Sequence, residues 1–445
     1  MATFDLSDRL ADFVADEDEL RACNALPDGA CREVPGNVVW NVASGALAKL
    51  GEQLSSPGTV LPWVLGAVGA PTAFVGLLVP IKDGGSLLPQ LAVAGRLRAV
   101  PRRTPWWVAS AAVRALAVAA TALAIALWSG AAAGVAVLVA LFATSVASGV
   151  GSVAYKDVLA KTVPKGARGR VLAWRASLGG VLGVGAGLLL QTTVADADAR
   201  GPFVVVLLAA AGALAASAGA FARVVEAAGA TEGGRDALAE ARSGWRFLRE
   251  DQAFRRFLTA RSLLFAVPLA TPFLTVYGQR TVDSGLGGLG VFVVATALAS
   301  SLASLAWGRA ADDSAHRTMA WAGMVGVASV GYALAVGGLF PEAWRTAWVY
   351  APAFLGAGVA HAGVRLGRKT WLVDAAPDAH RPTYVATANT VIGGVTVLGG
   401  ALGAAVGALG PTAALGTFAV VMAVGAIVAA SLPAPEEVAA RDGLD

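Results

Sequence analysis

Apolar residues run along this chain in blocks closed by charged residues, glycine or proline, and the blocks have the length of about 20 residues at which a helix crosses a bilayer. Ala131 to Val150 and Pro202 to Ala220 contain no charged residue. The pattern predicts an all-α membrane protein of 12 transmembrane helices. The first six fall near residues 38–68, 72–94, 106–128, 131–153, 171–193 and 201–224. The other six fall near 257–279, 286–307, 318–340, 345–366, 383–408 and 411–432. Ser55-Ser56-Pro57-Gly58 interrupts the first block, and Thr59 to Val68 is apolar again, so it reads as a break inside one long span.

Composition supports this picture. Of the 445 residues, 56% are hydrophobic and 14% charged, against about 25% charged in ordinary globular proteins. A water-soluble reading is excluded. The net charge of +4 comes from short Lys and Arg runs between apolar blocks, which argues against a nucleic-acid partner. Cys23 and Cys31 are too far apart for a CxxC motif, and His316, His361 and His380 are the only histidines, so neither metal nor cofactor is expected. No phosphate-binding GxxxxGK[ST] occurs.

Lys and Arg also orient the spans, because cytoplasmic loops are enriched in them. Counted with adjoining helix ends, alternate loops hold 24 of these residues and the opposite loops only Arg200, Arg280 and Arg345. Both termini are therefore expected in the cytoplasm. Residues 1–36 are read as a retained tail, 225–256 as a cytoplasmic linker and 433–445 as a second tail. Arg on most turns of the linker, interleaved with Trp245, Phe247, Leu248 and Phe254, predicts an amphipathic helix on the lipid surface.

An internal repeat divides the chain. A shift of 213 residues brings Lys156-Asp157-Val158-Leu159, Pro164 and Arg168 onto Lys369-Thr370-Trp371-Leu372, Pro377 and Arg381, and Gly95-Arg96 onto Gly308-Arg309. Two matches at one offset predict six-helix units of parallel orientation, 37–224 and 257–432. With Gly308-Arg-Ala-Ala-Asp312 through Arg317 in loop 8/9, the chain resembles the major facilitator superfamily of secondary transporters over roughly residues 37–432. The resemblance implies two pseudo-symmetric bundles, alternating access, and inner-gate roles for Gly95, Arg96, Gly308, Asp312 and Arg317. Physically, Gly308 would let helices approach closely. In loop 2/3, Ala99 stands where that family usually has Asp.

Candidate chemistry lies where charges fall inside spans. On the first span Asn37, Asn41, Ser44, Lys49, Glu52, Ser55, Ser56 and Thr59 occupy an arc of roughly 140°. On the second, Lys82, Asp83, Ser86 and Gln90 share roughly 100°. An ionised Asp, Lys or Arg at mid-bilayer costs about 2.5 to 3.5 kcal/mol, so both stripes are expected to face a wet cavity or to pair. Glu52 and then Asp83, with Lys49 and Lys82, are the expected coupling groups; two structural salt bridges are the alternative. Arg114 is expected as counterion to Asp83, with a substrate-anion anchor as its other reading. Asn41, Gln90, Tyr277, Gln279, Tyr384 and Asn389 are candidate cavity residues, and His361 and Arg365 a candidate gate. The glycine runs Gly179-Gly180 to Gly187 and Gly393-Gly394 to Gly403 suit sliding helices.

The expected function is secondary active transport of a small polar or amphiphilic solute across the inner membrane, as a proton-coupled symporter or antiporter. Protons and membrane lipid are its other expected partners, and it is expected to act as a monomer. An enzyme is not expected, since no nucleophile, His and carboxylate gather on the spans. Alternatives are a transporter-like scaffold binding a lipid, pigment or protein partner, and a multidrug efflux antiporter. The resemblance disfavours the latter, because span four lacks an Arg and span five a Gly-Pro pair.

Overall fold

The computed structural model describes residues 33–164, 166–192, 200–229, 245–282, 285–377, 380–435 and 437–438. At 88–98, 286, 300, 301, 304–306, 309, 312 and 382 only the backbone is described. The expectations for Cys23, Cys31 and most of both tails lie outside the described residues, as do the middle of the linker and the side chains of Gln90, Arg96 and Asp312.

Among the described residues the regular structure is all helical. The first run comprises α1 (Val34–Leu54), α2 (Val60–Ala67), α3 (Val75–Arg98), α4 (Thr104–Leu127), α5 (Gly130–Thr162), α6 (Arg168–Gln191) and α7 (Arg200–Phe221). After two linker helices, α8 (Trp245–Glu250) and α9 (Gln252–Leu263), come α10 (Ala266–Thr281), α11 (Gly285–Asp313) and α12 (Ala315–Gly338). The last three are α13 (Ala347–Ala375), α14 (Arg381–Ala408) and α15 (Pro411–Ala430). Among the described residues nine helical segments are long and apolar enough to cross a membrane, α9 and α10 counting as one. The chain is a multi-pass membrane protein. Of the long helices, α1, α3 and α11 fall outside those nine; α1 and α3 carry charged side chains, and the apolar described part of α11 is the shorter stretch Gly287–Ala299.

Packing follows the sequence repeat. In the first run α4 lies against α5 and α7, α3 against α5, and α1 against α6 and α7. In the second run α12 lies against α13 and α15, α11 against α13, and α10 against α15. The runs meet reciprocally, α6 on α11 and α14 on α3. Local detail repeats too: Arg168 donates to the Ala160 carbonyl at 2.7 Å and Arg381 to the Val373 carbonyl at 2.9 Å, each eight residues back.

Glycines set the close approaches between the runs. Gly76 lies backbone to backbone against Gly403, and Gly187 against Gly290, where an added Cβ would overlap main-chain atoms. In contrast, a Cβ at Gly308 would meet nothing within 4 Å among the described residues.

The linker helices depart from a simple lipid-surface helix. Trp245 is exposed, but Phe254 is buried, and Phe247 packs on the rings of His380 and Tyr384. Asp251 separates the two helices by accepting the Phe254 backbone N–H at 2.9 Å, an N-cap that starts α9. Its other carboxylate oxygen accepts the Tyr384 hydroxyl at 2.9 Å. Phe247 and Phe254 of the linker thus pack on Tyr384 of α14, while Trp245 stays exposed.

Candidate functional site

A cavity of about 510 Å³ lies between the two runs, within the size range of small-molecule sites. Its first wall is the polar stripe of α1. Lys49, Glu52 and Gln53 line it, followed by Ser55 to Gly58, where the helix breaks. Pro57 has no N–H to donate, so the chain cannot continue the helical ladder through this point. The freed Gly58 carbonyl accepts the Thr275 hydroxyl from α10 at 2.6 Å, a bond that spans the two runs.

Glycines on α6 make room for this wall. A Cβ at Gly179 would overlap the Lys49 stem, and one at Gly183 would overlap the Gln53 amide. The four-residue spacing matches on both helices, so one face of α6 receives one face of α1. Gly185 meets nothing within 4 Å.

The second wall is α3, contributing Val79, Lys82, Asp83 and Ser86, with Leu141, Thr144, Ser145 and Ser148 of α5 beside it. Close packing of α3 on α5 depends on Gly85 against Ser145 and Gly149 against the Ser86 carbonyl. From the second run come Pro268, Thr271, Thr296, Phe354, His361 and Arg365, on α10, α11 and α13.

Charge organises the centre. Arg114 of α4 donates from Nη2 to Glu52 Oε1 at 2.7 Å. The arginine side chain is 10% exposed and the glutamate 48%, so the carboxylate opens into the cavity while the guanidinium anchors it from behind. Arg114 therefore pairs with Glu52 and not with Asp83, correcting the expected partner. Asp83 instead lies 3.4 Å from Lys82, and both are partly exposed. Arg114 Nε has no acceptor among the described residues, and Gln53 Oε1 no donor.

Of the expected coupling groups, Lys49, Glu52, Lys82 and Asp83 all border this one cavity, as do Arg114, His361 and Arg365. Several expected cavity residues lie elsewhere. Asn41 is fully buried, its amide oxygen accepting from Tyr155 at 3.0 Å and from Arg175. Asn389 accepts from Arg261 at 3.1 Å, which occupies it in packing α14 onto α9. Tyr277 packs over Gly337, and the Gln279 amide lies beside Gly66. Tyr384 is engaged by Asp251. Arg317 is exposed and borders no part of the cavity.

Three features were not anticipated. Arg175 stacks 4.2 Å over Tyr155 while bonding Asn41, although its place near the start of a span made it look like a loop residue. The hydroxyls of Thr144, Ser145 and Ser148 sit in an otherwise apolar block, and their shared helical face was the available signal. Glu226 is buried and accepts the backbone N–H groups of Arg103 and Thr104 at 2.7 Å and the Lys161 ammonium at 3.0 Å. It holds the start of α4, and nothing in its local sequence marks it.

No protein-family model matches the chain. Proteins of Mycobacterium tuberculosis and Mycobacterium bovis, both named as uncharacterized, are each 29% identical over 414 residues, covering 89% of this chain and 77% of theirs. Solved structures match over most of its length at low identity. A nucleoside transporter superposes with a TM-score of 0.68 at 11% identity, covering 88% of this chain and 99% of that one. A D-xylose-proton symporter gives 0.65 at 11% identity, covering 90% and 98%. A POT family transporter in complex with 5-aminolevulinic acid gives 0.66 at 11% identity, covering 87% and 94%. The chain shares the fold of these solved transporters.

Proposed function

We propose that the chain is a secondary active transporter that carries a small polar solute across the membrane by alternating access, coupled to protons at Glu52. Twelve spans form two six-helix units, 37–224 and 257–432, joined by the linker 225–256, with both termini in the cytoplasm of a monomer in the inner membrane. The observation that carries this reading is the Glu52–Arg114 pair, whose carboxylate faces a cavity walled by both runs.

A carboxylate inside the bilayer needs a cation or water to remain ionised. Arg114 supplies the cation from behind, and the cavity supplies access for a proton or solute from the front. Lys49 and Lys82 add positive field to Glu52, and His361, Arg365 and Asp83 face the same space. Proton binding neutralises Glu52 and weakens its hold on Arg114, which changes the tie between α1 and α4. In this way a local charge change biases a two-state helix packing.

The reading is tested in liposomes containing the purified full-length chain. After a pH step, the predicted result is accumulation of a solute above its equilibrium level, collapsed by a protonophore. No movement of any solute from a broad metabolite panel, under either direction of the step, contradicts it.

A further inference from the structure

The cavity wall carries more positive than negative charge. Four cationic side chains, Lys49, Lys82, Arg114 and Arg365, face two carboxylates, Glu52 and Asp83. Glu52 is taken by Arg114 at 2.7 Å and Asp83 by Lys82 at 3.4 Å. Lys49 of α1 and Arg365 of α13 remain without an acidic partner within ion-pair distance among the described residues. They stand on helices of opposite runs. Uncompensated charge is costly in a low-dielectric setting unless water or a counter-ion reaches it, and here the cavity admits one.

Hydrogen-bonding capacity adds a second signature. Ser55, Ser145 and Thr296 each spend their hydroxyl hydrogen on a carbonyl of their own helix, at 2.7, 2.7 and 3.0 Å. Toward the cavity these oxygens can only accept. Beyond the cavity, Arg368 and Lys369 follow Arg365 within about one turn of α13 and extend the positive field toward the helix end.

We infer that the solute is a small organic anion, its carboxylate or phosphate held between Lys49 and Arg365, with hydroxyl or amine hydrogens directed to the hydroxyl acceptors. The inference rests on the cavity being the solute's site. An anion reaching both cations joins the two runs through its own charge.

Thermal-shift titration of the full-length protein in nanodiscs tests this with matched probes: lactate, succinate, glutamate and glucose 6-phosphate against lactamide, succinamide, glutamine and glucose. At least one acid is expected to stabilise the fold where its neutral counterpart does not, and added salt is expected to weaken the effect. Lys49→Gln and Arg365→Gln should each weaken that acid by about tenfold or more, since a charge-assisted contact is lost. Lys49→Arg and Arg365→Lys should keep most of the effect, which separates charge from folding. Stabilisation by neutral probes or by putrescine in place of the acids, by no probe, or undiminished in both glutamine variants overturns the inference. Binding of an acid that is never moved across liposomes would leave this inference standing and remove the transport reading; transport of a neutral or cationic solute would do the reverse.

Discussion

Arg114 holds Glu52 at 2.7 Å from the buried side of the pair, while the glutamate side chain is 48% exposed and borders the cavity. The two partners are therefore not equivalent. Glu52→Gln leaves a buried guanidinium without its carboxylate and is expected to lower stability by about 1–3 kcal/mol. Arg114→Gln leaves a carboxylate that cavity water and Lys49 still serve, so its cost should be smaller. Thermal unfolding followed by tryptophan fluorescence in detergent orders the two variants; equal losses would mean that the pair is equally buried on both sides.

The α6 glycines separate close packing from mere composition. Gly183→Ala displaces the Gln53 amide and Gly179→Ala the Lys49 stem, each a small-to-large change in a filled space that is expected to cost about 1–3 kcal/mol. Gly185→Ala has open space and should be neutral or slightly stabilising, because alanine favours helix. Melting temperatures of the three variants check this, and a uniform response would show that the glycines act only through helix propensity.

Thr275 and Gly58 tie the two runs at the break in the first span. Thr275→Val keeps the shape and removes the donor, leaving a freed carbonyl unsatisfied. Stability should fall by about 1 kcal/mol. Thr275→Ser restores the hydroxyl and should recover most of that loss in the same melting assay.

Glu226 caps the start of α4 and binds Lys161 with its second oxygen. Glu226→Ala removes both functions and should destabilise the fold by about 2 kcal/mol, at the upper end for a helix cap. Glu226→Gln keeps an acceptor for the Arg103 and Thr104 N–H groups and weakens only the tie to Lys161, so its loss should be smaller. If Glu226→Gln costs as much as Glu226→Ala in the same melting assay, the contacts to Arg103 and Thr104 contribute nothing.

Much of this arrangement is legible in sequence because the bilayer imposes simple rules. Apolar block length locates the helices, and the 213-residue repeat foreshadows the recurring packing relations. The polar stripes of α1 and α3 point to a shared cavity because charges on them have few other places to go. Pairing is less legible. Whether Arg114 meets Glu52 or Asp83 depends on how α4 rotates against α1 and α3, which periodicity within one helix does not fix. For the same reason Asn41 looked like a cavity residue until packing placed Arg175 and Tyr155 on it. In the wall from the second run, His361 and Arg365 were legible as ionisable residues one turn apart, whereas Thr271 and Thr296 lie among apolar neighbours with no charged stripe to draw attention to them.

The most direct test of the account compares wild type with Glu52→Gln in liposomes, using the same solute in two assays. Exchange of labelled for unlabelled solute at equal pH should persist in the variant, because the path and the alternating motion remain. Accumulation driven by a pH difference should be lost, because the group that couples it is gone. Undiminished pH-driven accumulation by Glu52→Gln would contradict the assignment of Glu52 as the coupling group.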